Sequence, residues 1–110
     1  MAKAITFIQK GDNIDFTNNT ETDISYRDVV PSGSRIFIAG ENIKVGTTGT
    51  LVTCGVYELP AASTEVFEFG ESLYWDSENG RVTKTVGDIK AGYAIIEKVQ
   101  SAETAYVKIN

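Results

Sequence analysis

The sequence predicts an all-β domain, a compact small β-barrel or β-sandwich of about eight short strands with at most one short helix. Apolar and polar residues alternate along several short runs, as in strands that have one buried face. Glycine, asparagine and proline separate these runs at short and fairly even intervals. No window shows apolar residues at three- and four-residue spacing over the ten or more positions that a helix needs.

Three alternating runs predict half-buried strands near the start, in the middle and at the end of the chain. In each run the apolar residues are expected to face the core and their polar neighbours to face solvent. The residues expected inside are Ile14 and Phe16 in the first run, Ile36 and Ile38 in the second, and Ala105, Val107 and Ile109 in the third.

The run from Leu51 to Leu59 is apolar on both faces, so we expect it to be the central strand, covered by the core on one side and by a loop or a partner subunit on the other. Asn79-Gly80 separates two further strand-like runs and predicts a tight hairpin turn, because Asn-Gly favours positive φ angles. The residues from Ala61 to Phe69 are compatible with one short helical turn capped by Ser63-Thr64-Glu65.

The length of 110 residues fits one domain. We expect residues 1–10 to form an N-terminal arm or a first strand and residues 11–110 to form a single β domain. A faint internal echo relates residues 34–55 to residues 80–96, since each has an alternating run followed by glycine, an Ile-Lys step and another glycine. Such echoes arise by chance in small β domains, so the echo alone predicts nothing about the fold.

Composition argues against several classes of partner. Fifteen acidic and ten basic residues give a formal charge of -5, and affinity for nucleic acid depends on lysine and arginine contacts to phosphate. No apolar run approaches the roughly 20 residues that span a bilayer, so we expect no membrane partner and no export signal. Cys54 is the single cysteine, which excludes an internal disulfide and favours a small structural side chain.

The chain contains no histidine, and an enzyme would therefore lack the commonest general base and metal ligand. A carboxylate-only hydrolase remains an alternative, built from the cluster Glu65, Glu68 and Glu71 or from later acids. The loop Asp76 to Gly80 resembles a calcium loop only superficially, because the ligand spacing and the distal glutamate are missing. We expect no catalysis, no cofactor and no metal.

Aromatic residues on the predicted strands are candidates for an interface, because tyrosine and tryptophan are enriched at the centres of protein interfaces. Tyr57, Tyr74 and Trp75 are the three that we select. For any one of them, packing in the core of a small domain is the simpler alternative.

Several short motifs together resemble a family of small β-rich cement (decoration) proteins from tailed bacteriophages. The motifs are Gln9-Lys10-Gly11-Asp12, Gly55 to Pro60, Gly70, Tyr74-Trp75-Asp76, Val82-Thr83 and Val107-Lys108-Ile109-Asn110. The stretch from Ser25 to Ser34 departs from the family pattern, since it carries Tyr26-Arg27-Asp28 and the Pro31-Ser32-Gly33 turn where relatives have a smoother valine-rich strand.

The resemblance implies a structural protein made in the host cytoplasm and placed on the capsid exterior of the virion. Its partner would be the major capsid protein, and it would stabilise the capsid by bridging neighbouring capsomers. A homo-oligomer is expected, with a trimer favoured because equivalent subunits at a three-fold position meet equivalent surfaces. The alternative is a head-fibre, tail or baseplate module that recognises a host surface.

The N-terminal residues offer a docking mode for such a protein. Ile5, Phe7 and Gln9 alternate with Thr6, Ile8 and Lys10, so this segment can add a strand to an exposed capsid edge. We therefore take Ile5, Phe7 and Gln9 as candidate capsid-binding residues. The alternatives are that the segment is the first strand of the domain or a frayed end.

Overall fold

A computed structural model describes residues 1–109 of the chain. They form nine β-strands and contain no helix, which confirms the predicted all-β class with one strand more than the eight expected. Asn110, the last residue of the predicted β domain, lies outside the described residues. The strands are β1 (Asn13–Thr17), β2 (Val29–Ser32), β3 (Arg35–Ala39), β4 (Thr48–Val52), β5 (Gly55–Pro60), β6 (Ser72–Asp76), β7 (Arg81–Thr83), β8 (Lys90–Ala94) and β9 (Thr104–Ile109).

The alternating runs form strands with the predicted faces. In β1, Ile14 and Phe16 are half-buried between exposed polar neighbours. In β9, Ala105, Val107 and Ile109 are buried, while the residues between them are exposed or half-buried. Period-two alternation therefore predicted both the presence of these strands and the side chains that point inward.

The strands belong to one nine-stranded sheet in the order β1-β4-β3-β8-β6-β7, with β2 beside β3 and β9 between β5 and β8. An isolated bridge between Ala61 and Val82 joins the end of β5 to β7. The pairings β5-β9-β8-β6-β7 therefore close into a ring, the barrel-like part of the fold. Within residues 1–109, β1 pairs only with β4 and β2 only with β3, so each lies at an edge.

Two apolar clusters stabilise the domain, and β3 lies between them. Ile36 and Ile38 point into the larger cluster, which fills the ring, whereas Ala39 packs in the smaller cluster under β1 to β4. The larger cluster contains Ile36, Ile38, Leu59, Ala61, Phe67, Leu73, Val82, Ala91, Ala94, Ala105, Val107 and Ile109. The smaller contains Ile24, Val30, Ala39, Ile43 and Leu51.

The prediction of a single central strand over residues 51–59 is wrong. The run contains two strands, since β4 ends at Val52 and β5 begins at Gly55, whose φ of 124° is a backbone conformation that favours glycine. Each strand has one inner face, and Val56 is 51% exposed. The apolar run reflects two strands that meet at a bend, and the strand that is covered on both faces is β3.

The hairpin predicted at Asn79-Gly80 is confirmed. Strands β6 and β7 pair antiparallel, with Asp76 opposite Arg81. The connection has four residues, and only its last one, Gly80, has a positive φ, of 64°. The Asp76 carboxylate orders the loop, because it accepts hydrogen bonds from the Glu78 amide at 3.1 Å and the Asn79 side-chain amide at 2.8 Å.

The two halves of the chain repeat one turn unit, which we name the bridge turn. In each unit, a residue in an isolated bridge is followed three positions later by a residue with a φ near 80°. Ile24 pairs with Ile43 in the first half, and Phe67 pairs with Lys98 in the second. The positive-φ residues are Arg27 (75°), Gly46 (80°), Gly70 (84°) and Ser101 (76°).

Hydrogen bonding confirms that the four bridge turns are equivalent. The amide of each positive-φ residue donates to a distant carbonyl: Arg27 to Ala39 at 2.9 Å, Gly46 to Asn18 at 2.9 Å, Gly70 to Ala94 at 2.7 Å, and Ser101 to Ser63 at 2.8 Å. The strand pairs correspond as well, since β1-β4 and β3-β4 in the first half match β5-β9 and β8-β9 in the second. The segment from Ala61 to Phe69 forms a turn leading into one of these units, and not the short helix allowed by the sequence.

Candidate interaction surfaces

The N-terminal arm, residues 1–10, lies outside the sheet and is exposed along its whole length. Ile5 is 99% exposed, and Phe7 and Ile8 are each 81% exposed. Gln9 is also exposed. A contiguous exposed apolar surface is typical of sites that contact other molecules.

The base of the arm is fixed to the domain just before β1. The Gly11 carbonyl accepts a hydrogen bond from the Thr53 hydroxyl, and the Asp12 carbonyl accepts one from the Thr53 amide at 2.9 Å. The Cys54 thiol lies 3.4 Å from the Asp12 carboxylate, so this cysteine also contacts the base of the arm. The arm therefore leaves the domain at a defined point beside the β4–β5 bend.

Tyr57 forms a cluster with two residues that the sequence analysis did not select as site residues. The Arg27 guanidinium carbon lies 5.1 Å from the centre of the Tyr26 ring and 5.6 Å from that of Tyr57. Both distances lie within the range of a cation–π interaction. The three side chains line a groove of about 650 Å³, whose walls also include Glu41 and Asn13.

The bridge turn that carries Arg27 is held by side-chain hydrogen bonds on both sides. The Asp28 carboxylate accepts from the Ser25 amide at 2.8 Å, and the Asn42 side-chain oxygen accepts from the Tyr26 amide at 2.8 Å. This turn lies within residues 25–34, where the sequence was expected to differ from the family that it resembles. The positive φ of Arg27 could not be predicted from the sequence, because L-residues other than asparagine and aspartate rarely adopt a positive φ.

Tyr74 and Trp75 lie apart from this groove, on β6. Both are half-buried, and Trp75 packs against the larger cluster. Tyr74 lines a depression that also contains Arg35 and Tyr93, while the loop before β8 borders Trp75. Tyr74 and Trp75 thus lie together on one part of the surface, and Tyr57 lies on another.

Several carboxylates that the sequence offered for catalysis are engaged in local structure. Glu65 accepts hydrogen bonds from the Thr83 hydroxyl at 2.8 Å and the Lys84 amide at 2.8 Å. Hydrogen bonding from Asn79 holds the pKa of Asp76 below its ordinary value of 3.8. These acids therefore stabilise turns. Across residues 1–109, no group of three or more acidic, cysteine or histidine side chains is arranged to hold a metal ion.

Lys98 is a buried cation that the sequence analysis did not identify. Its side chain is 4% exposed, and the ammonium donates to the Glu65 carbonyl and, at 3.2 Å, to the Val99 carbonyl. The ammonium also lies 5.2 Å from the centre of the Phe67 ring. Burial lowers the pKa of Lys98 from its ordinary 10.5, and the nearby Glu65 opposes this shift.

The described part of the chain contains no helix long and apolar enough to cross a bilayer. It does contain a folded β domain with an exposed apolar arm. The family model for phage cement proteins matches residues 8–109, nearly the whole chain. The chain therefore belongs to the phage cement protein family, which confirms the resemblance seen in the sequence. No curated protein and no solved structure matches it.

Membership of this family indicates a structural role in association with the phage capsid. The match begins at residue 8, so most of the N-terminal arm lies before the region shared with the family model. The arm and the Arg27 cluster are the two features of this chain that call for a functional explanation beyond the family description.

Proposed function

We propose that this chain binds the outside of the assembled capsid and stabilises it by bridging neighbouring capsomers, with no catalysis. The observation that supports this most directly is an exposed apolar arm on a domain of the cement family. Its partner is the major capsid protein, and its location is the capsid exterior of the virion, after synthesis in the host cytoplasm. A formal charge of -5 makes nucleic acid an unsuitable partner.

The arm docks by adding a strand to an exposed edge on the capsid. Ten extended residues reach roughly 33 Å, far enough to contact a capsomer beside the one beneath the domain. Main-chain hydrogen bonds supply affinity, and pockets for alternate side chains supply specificity. Ile5, Phe7 and Gln9 are the side chains that enter the capsid surface, since they alternate along the arm.

The domain provides a second attachment next to the arm. Strand β1 follows the arm directly and lies at an edge of the sheet, with no proline to block further pairing. The other edge strand, β2, contains Pro31, which lacks an amide hydrogen and discourages pairing. Contact with a neighbour is therefore favoured on the side of β1, where Tyr57 and the groove are also found. Tyr74 and Trp75 contribute a separate contact on β6.

A homotrimer at a three-fold position explains how weak single contacts hold a capsid together. Three equivalent subunits present three arms to three equivalent surfaces. Binding of the first arm raises the effective concentration of the others, and overall affinity rises by a factor of roughly 100 or more. Light scattering should then give a particle of about three times the 12.0 kDa chain mass.

Binding to undecorated heads tests the proposal. The wild-type chain should bind in a saturable, fixed ratio to the major capsid protein and raise the temperature at which heads rupture. Removal of residues 1–10 should weaken binding and leave a β-type circular-dichroism spectrum. Loss of the fold in this truncation would show that the arm belongs to the domain core.

A matched pair of variants tests which arm residues dock. Phe7→Ser should weaken binding, whereas Ile8→Ser, on the other side of the alternation, should have a smaller effect. The pair is well matched because the two side chains are equally exposed. Equal effects would refute strand addition. Binding to host cells or glycans, with none to heads, would favour the head-fibre, tail or baseplate alternative, and turnover abolished by Glu→Gln variants would favour an enzyme.

A further inference from the structure

The four bridge turns provide an internal comparison that singles out two residues, Arg27 and Ser101. All four contain a residue with a φ between 75° and 84°. Two of these positions carry glycine, the residue that adopts this conformation without strain. At the other two the chain carries Ser101 and Arg27, although the same turn forms elsewhere with glycine. A strained residue that the fold does not require is a candidate for function.

The side chain of Arg27 is also positioned more firmly than an exposed arginine needs to be. The guanidinium lies beside the rings of Tyr26 and Tyr57, which come from different parts of the chain. A guanidinium held beside aromatic rings still has N–H groups that can donate hydrogen bonds. Tyr57 in turn packs against the larger cluster and is itself held in place.

No acidic residue within residues 1–109 forms an ion pair with this guanidinium. Asp28, the next residue in the chain, accepts from the Ser25 amide, and Glu41, on the wall of the same groove, accepts from the Thr50 amide at 3.0 Å. Arg27 therefore keeps its hydrogen-bonding edge free on the wall of an open groove.

We infer that Arg27 is a binding residue for an acidic side chain of the capsid surface, with the Tyr26 and Tyr57 rings fixing its orientation. The inference rests on the proposed function and adds to it the chemistry of one contact. A guanidinium edge pairs with a carboxylate through two parallel hydrogen bonds. Among protein groups, the aspartate or glutamate side chain fits this edge best. Phosphate fits the same edge, but the charge of -5 repels a nucleic acid backbone.

The test compares binding to undecorated heads for the wild type, Arg27→Gly, Arg27→Lys and Ser101→Gly. Arg27→Gly should bind roughly 10- to 100-fold more weakly, as expected for the loss of a charge-assisted hydrogen bond, with a melting temperature no lower than that of the wild type. Arg27→Lys keeps the charge and the backbone strain but loses the planar fork, so its loss should be intermediate. Ser101→Gly, the equivalent position in the other half, should raise the melting temperature and leave binding unchanged.

The outcomes separate this inference from the proposed function. Wild-type binding together with equally tight binding by Arg27→Gly would overturn the inference and leave the cement function standing. If Arg27→Gly melts at a lower temperature than the wild type, the Arg27→Lys variant is used instead. Weakened binding by Arg27→Lys, with the melting temperature of the wild type, supports the inference, and binding by Arg27→Lys with the wild-type affinity overturns it. Failure of the wild type to bind heads would overturn both. Binding of a duplex oligonucleotide that Arg27→Gly abolishes would identify phosphate as the ligand and refute the carboxylate.

Discussion

Replacing Asn18 by alanine should destabilise the domain more than its position in a turn suggests. Asn18 follows β1 and is fully buried. Its side-chain nitrogen donates to the carbonyls of Thr22 and Ile43, both at 2.9 Å. Its side-chain oxygen accepts from the amide of Thr20 at 2.9 Å and from the hydroxyl of the same residue at 2.6 Å. One side chain thus connects the turn after β1 to a bridge turn.

The magnitude follows from these four hydrogen bonds. A net contribution of about 1 kcal/mol for each gives a loss of about 3 to 4 kcal/mol. The Ile43 carbonyl keeps its bond from the Ile24 amide, so the desolvation penalty at that acceptor is only partial. Since domains of this size are stable by roughly 5 to 15 kcal/mol, the variant should remain folded, with a melting temperature lower by about 15 °C.

Guanidinium unfolding, monitored by circular dichroism at fixed protein concentration, measures this loss. Asn18→Asp keeps the acceptor and loses the two donors, so it should be destabilised at least as much as Asn18→Ala. Asn19→Ala, at the exposed neighbouring position, should stay within about 0.5 kcal/mol of the wild type. If Asn18→Ala behaved like Asn19→Ala, the side-chain network would not be a stabilising element.

Three further predictions concern the larger cluster. Gly92→Ala should lower the free energy of unfolding by at least about 3 kcal/mol, because the φ of 139° is strained for alanine and a Cβ would lie 2.9 Å from the Lys108 carbonyl carbon. Gly87→Ala is the control, since a Cβ at that position meets no atoms. Equal stabilities of the two variants in thermal melts would argue against this packing. Because the folded chain lowers the pKa of Lys98, the unfolded chain binds more protons than the folded chain as the pH approaches 10.5. The stability of the wild type relative to Lys98→Met should therefore rise with pH in that range. A stability difference that does not change with pH would contradict the burial of the ammonium. Trp75→Ala should lower the free energy of unfolding by about 2 kcal/mol, which is less than the loss on truncating a fully buried tryptophan, because the indole is half-buried. An unchanged denaturation midpoint would place Trp75 outside the core.

The strands that the sequence predicts best are those whose signal is local. Alternation in β1 and β9 requires only that one face be buried, and that condition is visible within five or six residues. The bend between β4 and β5 was missed because no polar turn residue marks it. Thr53 and Cys54 are not typical turn residues, and the break depends on the φ of Gly55, which the sequence does not reveal.

The internal repeat was hidden for a related reason. The echo in the sequence compared residues 34–55 with residues 80–96, whereas the structure matches the turns at Ile24 and Ile43 with those at Phe67 and Lys98. The two bridges share backbone geometry but pair isoleucines in one half and a phenylalanine with a lysine in the other. A repeat that is conserved in hydrogen bonding, and not in side-chain type, leaves little trace in composition.

The candidate site was predictable only in part. The sequence left open whether Ile5 and Phe7 belong to an arm or to a first strand, and the structure places them on an exposed arm. The Arg27 cluster depends on contacts between a turn and β5, about 30 positions later in the chain. Tyr57 was selected for its residue type, but its partners Tyr26 and Arg27 needed the fold.

The two halves of the repeat differ in their free edges and in their apolar clusters. The second half contains the closed ring and the larger cluster, and the bridge between Ala61 and Val82 leaves its strands without a long free edge. The first half has the smaller cluster, both edge strands, the arm and the strained Arg27. Edges and strain reduce stability in a domain that stands alone, and they become useful when a neighbour pairs with them. Under the proposed function, a capsid surface covers these edges, while the ring, which does not depend on them, keeps the domain folded.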